Sequence, residues 1–134
     1  MKQLKQHLSQ NSLYDKFQSA YREFHSTETL LIRLHDDMLG CLDRGECVFL
    51  LLLDLSAAFD TLSHEILLHR LRHCAGIFDS ALQWFKSYIS HRSQFVQIGS
   101  ALSGVKHLKY GVPQGSLLGP LLFTIYMLPL PILK

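Results

Sequence analysis

The stretch Cys47–Leu55, CVFLLLLDL, restricts the fold more than any other part of this chain. Seven uncharged residues, Cys47 to Leu53, precede Asp54. The run is too short for a helix of its own, and Gly45 punctuates its start. Such a run reads as a strand covered on both faces, in the middle of a sheet. At 134 residues and 48% hydrophobic, the chain has enough apolar side chain for a core, so disorder is excluded. Asp54 then stands at the end of a buried strand, where a carboxylate costs several kcal/mol unless it is paired or binds a metal. The carboxyl end of a central strand is also where open sheets place ligands. A turn or helix-cap aspartate fits the same position equally well.

Helical periodicity surrounds this strand. Ser26 reads as an N-cap with Glu28 in the first turn, and Leu30, Leu34, Met38 and Leu42 form one stripe expected to be buried. A second helix is expected over Glu65–Cys74, with Leu67, Leu71 and Cys74 inward and Asp60 as the cap before it. A third is expected to be capped by Asp79, with Leu82, Phe85 and Ile89 on one face. The period then shortens. QFVQI and VKHLKY flank a Gly/Ser turn and read as a hairpin with Val96 and Ile98 on one face. A last helix, Ser116 to Leu128, is apolar all round and should be buried. Pro120 is tolerable in its first turn, and Pro129 stops it. The order of elements gives an α+β fold with a small sheet.

Composition excludes several classes. A net charge of +2 does not demand a nucleic-acid partner, although Arg70, Arg72, Lys86, Arg92, Lys106 and Lys109 outnumber the acids around them. Cys41, Cys47 and Cys74 form no CxxC pair, as suits free thiols in a reducing compartment. The N-terminus has no apolar signal region, so a cytoplasmic or nuclear site is expected rather than secretion. The uncharged stretch Leu117–Leu133 is shorter than the ~20 residues a spanning helix needs and contains Pro120, Pro129 and Pro131, which disfavours a membrane span. His64, His69 and His73 lie close in sequence, but no HExxH accompanies them and zinc is not supported. Without GxSxG or an activating context for a cysteine, nucleophilic catalysis is not supported either.

The second chemical candidate is YGVPQGSLLGP, Tyr110 to Pro120. Gly111, Gly115 and Gly119 allow close backbone approach, Pro113 stiffens the loop, and Gln114 offers both donor and acceptor. A glycine-rich turn entering a helix can hold a phosphate or a base. It is not a P-loop, because GxxxxGK[ST] is absent. Taken alone, such a segment is more often only a turn.

Read together, LLLDLSAAFDTLSHEILLHRL, ALQWFKSYISHRSQFVQI and GVPQGSLLGPLLFTIYMLPL resemble the reverse transcriptase domain of LINE-type non-LTR retrotransposons from animals. FQSAYREFHSTETLL resembles the segment before the first acidic motif, so the resemblance runs from about Leu13 to Leu130. It implies a right-hand polymerase, with residues 1–46 as a fingers-side helical segment and 47–134 as a partial palm with a small, incomplete sheet. Asp54 matches the catalytic, Mg²⁺-binding first aspartate, and Phe59 the bulky position that excludes a ribose 2′-OH. Pro113, Gln114 and Gly115 match the motif lining the incoming nucleotide. Arg22 is carried over as a contact to template or primer. Asp60 has a supporting place after the gate.

The resemblance also implies a second acidic motif after the apolar helix, and the sequence ends at PLPILK without it. Two Mg²⁺ ions about 3.5–4 Å apart need several surrounding carboxylates. The expectation is therefore a truncated, inactive RNA-directed DNA polymerase domain that binds no Mg²⁺ stably. RNA template and DNA primer are the family's partners. Weak nucleic-acid binding and possible self-association are expected of this chain. The alternatives are a repurposed, non-catalytic RNA- or DNA-binding module, and a membrane-associated interaction protein.

Overall fold

The computed structural model describes residues 2–128, which fall into two compact units. One unit combines the N-terminal residues to Tyr14 with everything from Ala57 onward; the other is Asp15–Ser56.

The first unit contains α1 (Lys2–Gln10), α3 (His64–His73), α4 (Asp79–Ile89) and α5 (Gly119–Met127). Its strands are β1 (Ser93–Gln94), β2 (Gln97–Ile98), β3 (Ala101–Leu102) and β4 (Lys106–His107). Leu67 and Leu71, one turn apart on α3, are fully buried, as are Ile89 from α4 and Leu121, Leu122 and Ile125 from α5. Each such side chain contributes about 1.5–3 kcal/mol through burial, so this small set dominates the stability of the unit. The α3 helix starts where the Ser63 hydroxyl accepts from the Ile66 amide. Asp60 is therefore not the cap the sequence suggested, because the capping oxygen must sit immediately before the first helical residue. Asp79 likewise is the first residue of α4 rather than its cap; that place belongs to Phe78, which makes no side-chain cap bond. Pro120 occupies the first turn of α5, where a missing N–H costs nothing. Pro129 and the tail beyond it lie outside the described residues.

Helix α1 was not foreseen. KQLKQHLSQ holds only two apolar residues, Leu4 and Leu8, too few for a periodic signal, yet both are buried in the core. His7 on the same helix donates from Nε2 to the Ala75 carbonyl at 2.6 Å. Between α3 and α5 the Arg70 guanidinium lies over the Tyr126 ring, 4.5 Å from its centre. That contact compensates for a buried Nη1 with no hydrogen-bond partner among the described residues.

The expected hairpin exists but is broken in the middle. Ser93 and Gln94 pair with His107 and Lys106, and Gln97 and Ile98 pair with Leu102 and Ala101. The register changes by one between the two pieces, so the returning arm carries an extra residue, as in a bulge. The Ser103 hydroxyl fills the gap by accepting from the Val96 amide at 2.8 Å. Val96 and Ile98 are exposed, so neither arm supplies the buried face that alternation suggested.

The second unit is built on α2 (Thr27–Asp43). Its start is as read: the Ser26 hydroxyl accepts from the Thr29 amide, and Thr29 Oγ1 accepts from the Ser26 amide. The Ser26 hydroxyl also holds the Glu28 carboxyl below the usual carboxylate range. The helix ends before Gly45, but the stripe of Leu30, Leu34, Met38 and Leu42 is not buried; Leu42 is 54% exposed. The largest correction follows it. Cys47–Leu55 forms no strand, and Phe49, Leu51, Leu52 and Leu53 are each more than three-quarters exposed. A strand exists only through its ladder, and among the described residues β1 to β4 pair solely with one another. The fold is thus mixed helix and small antiparallel sheet, without the central strand.

Candidate functional site

Residues 57–64 and 110–115 are laced together by backbone bonds. The Gly111 amide donates to the Leu62 carbonyl at 2.7 Å, and the Val112 amide donates to the Phe59 carbonyl at 2.9 Å. His64 adds a third tie, with Nε2 donating to the Gly111 carbonyl at 2.7 Å; because a carbonyl only accepts, that nitrogen carries the proton. Ser63 and Tyr110 form a further bridge. Gly111 makes this approach possible. Its φ is +85°, and a Cβ there would sit 3.0 Å from the Asp60 carbonyl oxygen.

Above this seam lies an open cleft of about 760 Å³. Asp60, Pro113 and Gln114 line it, with Arg92, His107 and Lys109 from the hairpin and its exit. Gln114 Nε2 donates to both oxygens of the Asp60 carboxylate, each at 2.9 Å, across 54 positions of sequence. Cationic side chains, one carboxylate and a fixed amide suit a polar, phosphate-bearing ligand rather than an apolar one.

The sequence-derived site residues divide between the two units. Pro113 and Gln114 line the cleft. Phe59 reaches the same seam through its backbone, while its half-buried ring packs against Phe123 with centres 5.3 Å apart. Gly115 follows at φ +76°, exposed and outside the cleft lining. Asp54 and Arg22 belong to the other unit. Asp54 is exposed rather than held at the end of a buried strand, so the burial cost that singled it out does not operate here. Arg22 is half-buried, with Nη1 donating to the carbonyls of Asp15 and Gln18 at 3.4 and 3.5 Å. Among the described residues no group of three or more His, Cys, Asp or Glu side chains could hold a metal ion. Asp54 offers one carboxylate, and a Mg²⁺ site needs several oxygen ligands. The part of Asp60 as the partner of Gln114 and the cleft-lining place of His107 were not read from the sequence; Lys109 was read only as part of a basic excess.

The family model for reverse transcriptase (RNA-dependent DNA polymerase) matches residues 1–132, and this chain belongs to that family. It is 34% identical over 116 residues to the RNA-directed DNA polymerase from mobile element jockey of Drosophila funebris, covering 87% of this chain and 12% of that protein. It is 29% identical over 125 residues to the probable RNA-directed DNA polymerase from transposon BS of Drosophila melanogaster, covering 92% and 14%. The Pol polyprotein from type-1 retrotransposable element R2 of Popillia japonica is 31% identical over 84 residues, covering 63% and 14%. The chain thus spans only a small part of these relatives. No solved structure matches it.

Proposed function

We propose that this chain is part of an RNA-directed DNA polymerase of a non-LTR retrotransposon and carries one wall of its nucleotide site. Residues 1–46 belong to the fingers side and 47–134 to the palm. Asp54 is the catalytic, metal-binding aspartate, Phe59 limits the sugar, and Pro113, Gln114 and Gly115 face the incoming nucleotide. Arg22 contacts template or primer. The observation that carries this reading is the seam that ties the Phe59 turn to the Pro113–Gln114 loop beneath a cleft with a cationic rim. Two segments that match separate polymerase motifs are thereby fastened to each other by main-chain bonds.

When bound, Mg²⁺ supplies charge neutralisation and an activated attacking oxygen in such polymerases. The side chains of this chain do the remaining work: they hold the nucleotide, exclude the wrong sugar and attract the phosphate backbone. The polypeptide of residues 1–134 is expected not to extend a primer unaided, because a two-metal site needs several carboxylates and Asp54 supplies one. The test is primer extension on an RNA template with Mg²⁺ or Mn²⁺. No product above background is expected, and Asp54→Asn should change nothing. Extension by the wild type that Asp54→Asn abolishes would overturn the inactivity while leaving the assignment of Asp54 in place.

A further inference from the structure

The Asp60–Gln114 pair settles a choice that the amide of Gln114 would otherwise leave open. A glutamine amide carries a donor arm and an acceptor arm of nearly the same shape, and only its partners decide which way round it sits. An ionised aspartate is acceptor-only. With both Asp60 oxygens 2.9 Å from one Gln114 nitrogen, the NH₂ arm must face Asp60 and the carbonyl arm is the one left for a ligand. Asp60 makes this bond although Arg92 and Lys109 line the same cleft, and no ion pair to it occurs among the described residues. Its backbone is also fixed. The Asp60 amide donates to the Ala57 carbonyl at 2.9 Å, and Gly111 permits the close approach that brings residue 114 within reach.

We propose that Asp60 is a positioning residue for Gln114, committing position 114 to recognise a hydrogen-bond donor. This rests on the reading that the loop faces a nucleotide. The matching ligand group is a sugar hydroxyl or a base N–H. Phosphate near neutral pH presents mainly anionic acceptor oxygens, which a carbonyl oxygen at this position would repel; the hairpin cations are its natural partners. A free amide would serve either ligand group by flipping. The carboxylate removes that freedom.

Side-chain amide signals in ¹⁵N-labelled full chain test this, with Gln114 assigned by its loss in Gln114→Ala. We expect the Gln114 NH₂ pair displaced from the free-glutamine position, and Asp60→Ala to return it there while the backbone amides of Leu67, Leu71 and Leu122 stay in place. In metal-free buffer a nucleoside triphosphate should shift the Gln114 signals, whereas inorganic triphosphate should move only the hairpin. Asp60→Asn, which can present either arm to Gln114, should lose that discrimination. Gln114 signals at the free position in the wild type, or equal responses to the two triphosphates, overturn the proposal. The wild-type measurements decide it even if the Asp60 variants do not fold. The clamp signature needs neither ligand nor catalysis, so its failure is separate from failure of the polymerase reading, which primer extension reports.

Discussion

Gly111 is the residue on which the cleft depends. Its φ of +85° strains any L side chain, and an added Cβ meets Asp60 backbone that is itself held in a turn. Gly111→Ala should destabilise the first unit by about 1–3 kcal/mol. Gly104 has no atom within 4 Å of a Cβ built on it and no positive φ, so Gly104→Ala should fall within about 0.5 kcal/mol of wild type. Denaturant melts of the two variants check the pair, and equal losses would refute the close-approach explanation. Core positions follow packing instead. Leu122 is fully buried, and Leu122→Ala should cost about 2–5 kcal/mol by the same melts. The loop that carries Gln114 into the cleft was legible in the sequence, since glycines and a proline frame it. Its bond to Asp60 was not: the separation is 54 residues, and no periodicity or local motif relates two loops so far apart.

At the scale of elements, the helices were legible because their signals are local. Ser26 caps as read, Leu67 and Leu71 repeat at one turn, and Pro120 marks a first turn, whereas the caps read at Asp60 and Asp79 fall instead at Ser63 and Phe78. Strands depend on non-local partners: the hairpin, whose arms are close in sequence, was legible, but the central strand was not. Cys47–Leu55 has strand composition, but composition supplies no ladder. The same exposed run sets an expectation for behaviour in solution. Burial of Phe49, Leu51, Leu52 and Leu53 at roughly 2 kcal/mol each provides a driving force on the order of 8 kcal/mol toward any apolar cover. Unpaired backbone beside exposed apolar side chains is an association hazard. Purified chain should therefore self-associate with rising concentration in sedimentation velocity, and Leu51→Lys with Leu53→Lys should shift it toward monomer. A wild-type monomer at high concentration would contradict this.

For the whole molecule, the family was legible because several motifs stand in order along nearly the entire chain. What composition could not reveal is where its charge collects. A net +2 is unremarkable, but Arg92 and Lys109 converge on one cleft whose lining contains the single acidic residue Asp60. Nucleic-acid binding should accordingly be weak and independent of sequence, with a log–log salt slope corresponding to about two to four phosphate contacts at ~0.9 each. Arg92→Ala should lower that slope by nearly one contact, and Arg22→Ala by a similar step if its assigned role holds; fluorescence anisotropy across a salt series reads both. Tight, salt-resistant binding to one RNA would favour a repurposed binding module. The central claim, that these residues form part of a polymerase site, is tested most directly by exchange. The chain would replace the 116 residues it matches in the jockey polymerase of Drosophila funebris, and primer extension on an RNA template would be measured with and without Asp54→Asn. We expect the chimera to extend the primer and Asp54→Asn to abolish extension; a chimera that extends equally well with asparagine at that position would contradict the claim.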